Sequence, residues 1–400
     1  MRVLMVTEFY PPISGGLEFH VQNLANELAA RGHEVHVATL GATSYDTREG
    51  EVVVHRIRST TSRLSFLYSD PARPFHLPIS DHAVRQHLTQ LVSRLQPQVI
   101  HAHNWMAASL PRVSPPIVLT HHDYSWACPK RTFLRNDASV CEGPSLRRCM
   151  PCATPQYGRV KAVLVDSTTR IGRRRVQPDF HIAVSNAVAT AISPFTRHAP
   201  VVIPNFVASA LADRPSVPVG GLPQEPFALF AGAAAPHKGL DVLLEAWKPP
   251  APCPLVIATI QPLNRSLPPD VTQTSFSRDE LVSVLRSAAL TVVPSLWPDP
   301  CPTIVIEAMT LGVPIVASHI GGIKELVTDG LEGRLVSPND PGALRQAVTQ
   351  LLASPSLREG MAAAGRRRSA TYSLKALATS IELLYTEAIR EADAIGDADA

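Results

Sequence analysis

Two carboxylates eight positions apart, Asp299 and Glu307, bracket a segment in which a proline-locked loop runs into a helical pattern. Pro302 fits the first position of that helix, so the amides of Thr303 and Ile304 are free to donate to an anion. Glu307 follows one turn later between apolar Ile306 and Ala308. An unpaired carboxylate is costly to bury there, and a hydroxyl-rich ligand would satisfy it. Upstream, Gly232-Ala233-Ala234-Ala235-Pro236-His237-Lys238-Gly239 separates a strand pattern from a helix pattern. Lys238 is placed at the helix start as a point charge of the kind a diphosphate requires. Near the N-terminus, Gly15 and Gly16 precede another helix pattern, where small residues let backbone N–H groups approach an anion. The stretch Glu8–Gly16 lacks the G-x-G-x-x-G spacing of a dinucleotide site, which disfavours a nicotinamide enzyme.

These residues need elements to position them. Val3–Thr7 reads as a strand, Glu18–Arg31 as an amphipathic helix ended by Gly32, and Val35–Thr39 as a second strand, a unit that requires parallel pairing. Further strands are expected at Val52–Ile57, Val99–His103, Ile117–His121, Phe180–Val184 and Val201–Ile203, with helices at Asp81–Leu95 and Ala187–Ile192. A second alternation follows: strands at Phe227–Phe230, Leu255–Thr259, Leu290–Val293 and Pro314–Ala317, and helices at Leu240–Trp247, Arg278–Ala288 and Thr303–Leu311. The pattern predicts an α/β protein of two doubly wound, Rossmann-like domains facing each other across a cleft. The boundaries expected are 1–207, a linker at 208–226 rich in proline with a Gly-Gly pair, 227–373, and a C-terminal helix and tail at 374–400 that either finishes the second domain or crosses back to the first.

Composition limits the function classes. A chain of 400 residues is long enough for two domains, and 45% hydrophobic residues against 18% charged ones exclude disorder as the dominant state. With 37 Lys+Arg and 34 Asp+Glu the net charge is +3, too slight for a phosphate-tracking nucleic-acid binder, so no nucleic-acid partner is expected. No apolar run reaches about 20 residues, and six cysteines are too few for a disulfide-stapled scaffold. The N-terminus reaches Glu8 before any signal-length apolar run, so a cytoplasmic protein is expected.

Four of the cysteines, Cys128, Cys141, Cys149 and Cys152, cluster in a polar loop at 124–156 that ends in a C-x-x-C pair. In a reducing compartment that set reads as a closed structural zinc site, with free thiols or an iron–sulfur cluster as the alternatives. The stretch 159–175 holds Arg159, Lys161, Arg170, Arg173, Arg174 and Arg175 among apolar residues. It is either a contact for an anionic membrane or lipid-phosphate acceptor, or a solvated basic face.

Taken in order, the motifs resemble the family-4 retaining glycosyltransferases of the GT-B fold over almost the whole chain. They are Gly15-Gly16-Leu17-Glu18-Phe19-His20-Val21, Ile100-His101-Ala102-His103-Asn104, Thr120-His121-His122-Asp123, Val202-Ile203-Pro204-Asn205, Lys238-Gly239-Leu240-Asp241, Asp299 to Glu307, and Gly321-Gly322-Ile323-Lys324-Glu325. The resemblance implies that Gly16 faces the diphosphate of a nucleotide sugar, UDP- or GDP-linked, that Lys238 neutralises it, and that Glu307 binds the ribose. It places Asp299 against the transferred sugar and His122 beside sugar and acceptor. Two positions depart from the pattern: Ala233 stands where an arginine usually pairs with the lysine, and Asp299 is a residue shorter in reach than the usual glutamate. The implied reaction is hexosyl transfer with retention to a glycan or lipid-linked acceptor in polysaccharide or cell-envelope glycoconjugate synthesis, with no catalytic metal. The only D-x-D spacing noted, Asp397-Ala398-Asp399, lies in a small-residue tail. Acceptor choice falls to the loops near 60–80 and 124–176, and the setting is the cytoplasm or the inner face of a membrane. Three alternatives stay open: a sugar-nucleotide epimerase, a phosphorylase, or a catalytically silent sugar-nucleotide sensor, the last raised by Ala233.

Overall fold

The computed structural model describes residues 1–13, 15–60, 76–208 and 210–398, with the side chains of 146 and 395–398 excepted. Most of the 60–80 segment, and the side chains of the 397–399 tail, therefore lie outside the described residues. The chain divides into two compact units: Met1–Asn136 with Cys141–Pro204 and Leu374–Ala400, and Asn205–Ser373 with the short piece Asp137–Val140.

In the first unit, β1 (Arg2–Thr7), α1 (Gly16–Ala30) and β2 (Glu34–Leu40) form the expected parallel unit, with Val3 opposite Val35. Then come β3 (Tyr45–Glu49), β4 (Val52–Ile57), α2 (His82–Leu95), β5 (Val99–His103), β6 (Ile117–His121), α3 (Leu146–Tyr157), α4 (Arg159–Arg175), β7 (Phe180–Ala183), α5 (Asn186–Ile192) and β8 (Val201–Val202). The sheet order is β3-β4-β2-β1-β5-β6-β7-β8, and only the β3–β4 pair is antiparallel. Its central strands are apolar nearly throughout because both faces are covered, and Val3 to Val6 and Val99 to Ile100 are buried.

The second unit carries β9 (Ala228–Ala231), α6 (Leu240–Ala246), β10 (Leu255–Ala258), β11 (Val271–Thr274), α7 (Arg278–Ser287), β12 (Leu290–Val293), α8 (Thr303–Leu311), β13 (Ile315–Ser318), α9 (Ile323–Leu326), β14 (Gly333–Val336), α10 (Pro341–Ala353) and α11 (Pro355–Ser369). Its six strands run parallel in the order β11-β10-β9-β12-β13-β14. Leu243, Trp247, Leu255, Ile257, Val316 and Val348 knit this sheet to its helices in one core cluster.

The last helix, α12 (Leu374–Ala398), belongs to the first unit, where it packs on α1. Glu382 accepts from Arg31 and lies 2.6 Å from His33 Nε2, while the Tyr385 hydroxyl lies 2.6 Å from His101 Nδ1. Those pairs secure the return. The molecule is thus an α/β protein of two Rossmann-like sheets. No helix among the described residues is long and apolar enough to cross a membrane.

Candidate functional site

In the second unit, β9 and β12 are parallel neighbours, so the loops leaving their carboxyl ends lie side by side. The loop after β9 closes in a 3-10 turn, Pro236–Lys238, one residue before α6. Gly239 then adopts a left-handed φ of 78°, and a Cβ there would come 1.7 Å from the Pro294 carbonyl oxygen. The Leu296 amide donates to the His237 carbonyl at 2.9 Å, which fastens the loop after β12 onto the turn. Two glycines approach that loop from another side. A Cβ on Gly321 would meet Pro298 backbone at 2.3 Å, a Cβ on Gly322 would meet the Pro300 oxygen at 1.9 Å, and the Gly322 amide donates to the Asp299 carbonyl at 2.7 Å. Asn205 Nδ2 donates to the Cys301 carbonyl at 2.8 Å. The Asp299 loop is therefore fixed by contacts that only small residues and a short amide permit.

This arrangement brings two of the sequence-predicted residues together. Lys238 Nζ donates to Asp299 Oδ2 at 2.6 Å, and the Ser295 hydroxyl and Trp297 Nε1 each donate to the same oxygen at 3.2 Å. Asp299 Oδ1 receives none of these three bonds. The Lys238 ammonium also stands 5.1 Å from the Trp297 ring centroid, with His237 edge-on to the same ring. Burial, followed by the nearby Lys238 charge, lowers the pKa of His237.

Glu307, expected from the sequence to meet a hydroxyl-rich ligand, is buried, and Arg278 donates to both of its oxygens, at 3.1 and 2.7 Å. A buried carboxylate is satisfied by a bidentate guanidinium at less cost than by water it cannot reach. Arg278 opens α7, just after the Ser277 cap with its reciprocal Glu280 bond, and no sequence signal links it to Glu307. Thr303 and Ile304 begin α8, whose cap, Pro302, provides no side-chain hydrogen bond; the Val305 amide donates to the Pro302 carbonyl at 3.1 Å, and the Thr303 and Ile304 amides before it have no acceptor within their own helix.

In the first unit, Gly15 caps α1 in extended backbone with no side-chain cap bond. A Cβ on Gly15 would lie 2.3 Å from Glu18 Oε2, while one on Gly16 would meet nothing within 4 Å. Gly15 thus leaves room for a neighbouring carboxylate, and Gly16 is the open position. His122 Nε2 lies 2.9 Å from His103 Nδ1, and the His20 ring stands edge-on to His122 at 4.7 Å. His20, His103 and His122 each offer a ring nitrogen within 4.8 Å of the others, the only such cluster of metal-ligand type among the described residues. Burial drives His20 and His103 to pKa values well below the ordinary one, with the neighbouring imidazoles adding to the effect. Both rings are neutral near pH 7.

The four clustered cysteines are free thiols, and no three of them converge as a ligand set. Cys149 and Cys152 ride on α3, where Lys130 Nζ lies 3.6 Å from the Cys152 sulfur. Burial pushes the Cys128 thiol up to about 12 and raises Cys149 as well.

Known proteins match this picture. Residues 14–210 match the Glycosyltransferase Family 4 model, and residues 218–368 match the Glycosyl transferases group 1 model. An uncharacterised glycosyltransferase of Methanocaldococcus jannaschii is 23% identical, covering 97% of this chain and 98% of its own. Sucrose-phosphate synthase from Thermosynechococcus elongatus superposes with a TM-score of 0.73 at 20% identity, over 96% of this chain and 98% of that one. Anabaena HepE, solved with UDP-glucose, superposes at 0.66 and 16% identity over 97% and 100%. Two Rossmann-like sheets with paired site loops define a GT-B protein. The chain belongs to the family-4 glycosyltransferases.

Proposed function

We propose that the protein transfers a hexose, with retention of configuration, from a UDP- or GDP-linked sugar to a hydroxyl of a glycan or lipid-linked acceptor in glycoconjugate synthesis. In this reading the second unit holds the donor and the first unit receives the acceptor. The observation that carries it is the loop-borne constellation of Lys238, Asp299 and the Arg278–Glu307 pair beside the uncapped start of α8.

The chemistry asks for stabilisation of a nucleoside diphosphate as it leaves an oxocarbenium-like carbon. Preorganised charge and amide dipoles are the main tool for that. Lys238 and the amides of Thr303 and Ile304 supply them from the second unit. Glu307, held by Arg278, takes the ribose hydroxyls on its remaining lone pairs. Asp299 keeps Oδ1 clear of its three donors, and that oxygen accepts from a sugar hydroxyl. Retention follows if the acceptor attacks on the face the diphosphate leaves, its proton passing to a phosphate oxygen, with His122 orienting the acceptor.

A second reading rests on Ala233: without the usual arginine, the same site suits a sugar-nucleotide sensor that does not turn over. Calorimetry against a panel of UDP- and GDP-sugars, followed by transfer assays with and without a chelator, tests both. Binding with chelator-resistant transfer is expected. Binding without transfer or donor hydrolysis across many acceptors favours the sensor, and activity restored only by magnesium overturns the metal-free chemistry.

A further inference from the structure

Helix α4 is inside out. The side facing its own unit carries Ala162, Asp166, Thr169 and Gly172, which are buried. A Cβ on Gly172 would come 2.4 Å from the Pro78 oxygen and 2.7 Å from Trp105, so the helix lies too close for large residues on that face. Its large apolar residues point the other way: Val160 is 76% exposed, Leu164 57%, Ile171 54% and Val163 48%. At 100° per residue, Val160, Leu164 and Ile171 fall within about 40° of one another on the outer surface. Isolated exposed apolar side chains are ordinary, but a stripe of them opposite a small, polar buried face is not.

Charge frames the stripe. Arg159, Lys161 and Arg174 are exposed along its two margins, while Arg175 beside them donates from Nε to the Ala108 carbonyl at 3.1 Å. The helix has one acid, Asp166, which is buried and held by Arg170 at 2.7 Å. No negative charge on the helix offsets those cations at the surface. The Arg and Lys stems can extend past the apolar stripe and keep their heads in a layer of anionic groups.

We propose that the exposed face of α4 is a docking surface for an anionic lipid bilayer. Val160, Leu164 and Ile171 enter the boundary between headgroups and acyl chains, and the flanking cations meet lipid phosphates and carboxylates. The charge complementarity favours lipid over a second copy of the same cationic face, which would repel itself. This inference does not rest on the donor assignment, and its test reads binding rather than transfer.

Co-sedimentation of the full chain with phosphatidylcholine vesicles, with and without 30% phosphatidylserine, gives the measurement. Binding to the serine-containing vesicles, weakened by added salt and absent on pure phosphatidylcholine, is expected. The double variant Leu164→Glu/Ile171→Glu should lose at least roughly tenfold in vesicle affinity, and Lys161→Glu/Arg174→Glu a comparable amount. Both pairs are exposed, so melting temperatures and donor binding should stay at the wild-type values. Three results overturn the proposal: no binding of wild type to anionic vesicles, binding that the variants leave unchanged, or a concentration-dependent dimer that Leu164→Glu/Ile171→Glu abolishes while vesicle binding is missing.

Discussion

The ammonium of Lys238 and the carboxylate of Asp299 meet at 2.6 Å, although they arrive on separate loops after β9 and β12. Lys238 is partly exposed and Asp299 buried, so under the proposed function removing the lysine does two things: it deletes the charge proposed for the diphosphate, and it leaves a buried carboxylate with only neutral donors. The variants separate the two effects. Lys238→Ala should lower turnover by about 10²-fold or more, since charge builds on the leaving group as the bond breaks. It should also destabilise the fold by about 1–3 kcal/mol. Adding Asp299→Asn should recover most of that stability and none of the turnover. Initial rates and melting curves check both, and recovery of turnover in the double variant contradicts the assigned role.

Arg278 and Glu307 make the reverse case, in which the partner matters through the carboxylate it holds. Glu307→Ala should weaken nucleotide-sugar binding by about 1.5–3 kcal/mol, the range for a hydrogen bond to a charged group. Arg278→Ala should lower stability by roughly 2–4 kcal/mol, because it strands a buried charge. Glu307→Gln placed in the Arg278→Ala background should restore part of it. Additivity of the two changes within about 0.5 kcal/mol in a thermal double-mutant cycle refutes the coupling.

The pH dependence of stability has a specific source in Glu8. Burial pushes its carboxyl up to about 7 against the lowering influence of Arg131, and although Oε1 accepts from the Trp105 amide, Oε2 has no hydrogen-bond partner among the described residues. A folded-state value raised above the unfolded one means that the folded chain binds the extra proton between about pH 4.5 and 7. Stability from this group is therefore full below pH 4.5, falls as pH rises through that window, and levels off above it, a loss of up to roughly 3 kcal/mol. Glu8→Gln should flatten this part of the profile and be the more stable protein at pH 8. Urea melts from pH 4.5 to 8.5 measure it, and parallel profiles for the two proteins reject the assignment.

Much of the architecture is legible because period and composition agree. The runs Val52–Ile57, Val99–His103, Ile117–His121 and Leu290–Val293 are dominated by apolar and β-branched residues and fold as the strands expected of them. Elements without such a signal escape the sequence. Strand β3, Tyr-Asp-Thr-Arg-Glu, is a polar edge paired on one side only, and α3 holds Pro151 and Pro155, which argue locally against a helix that forms anyway. At the site, the pairing of Lys238 with Asp299 depends on the adjacency of β9 and β12, while Arg278 as the partner of Glu307 comes from a third element. Side-chain partners set by strand order leave no mark at fixed spacing, so the chemistry-bearing types are readable and their mates are not.

The cysteine loop supports one more prediction, that the loop binds one zinc ion. Four thiols with a terminal C-x-x-C pair are a suitable donor set for a closed structural site, yet the sulfurs are not drawn together and burial holds Cys128 as a protonated thiol near about 12. Zinc reverses that preference, since coordination deprotonates a thiol outright and bonds it at about 2.3 Å. Binding must therefore release protons and tighten the loop between β6 and α3. Protein purified under reducing conditions should contain close to one equivalent of zinc, lose it in Cys149→Ser/Cys152→Ser, and show fewer alkylatable thiols before chelation than after. Less than about a tenth of an equivalent of zinc or iron, with all four thiols alkylated at once, rules out the metal site given the tight binding expected of such sets. In that event Cys128 and Cys149 are core-packing thiols, and the order of the loop comes from contacts such as Lys130 with Asn136 and Leu134 instead.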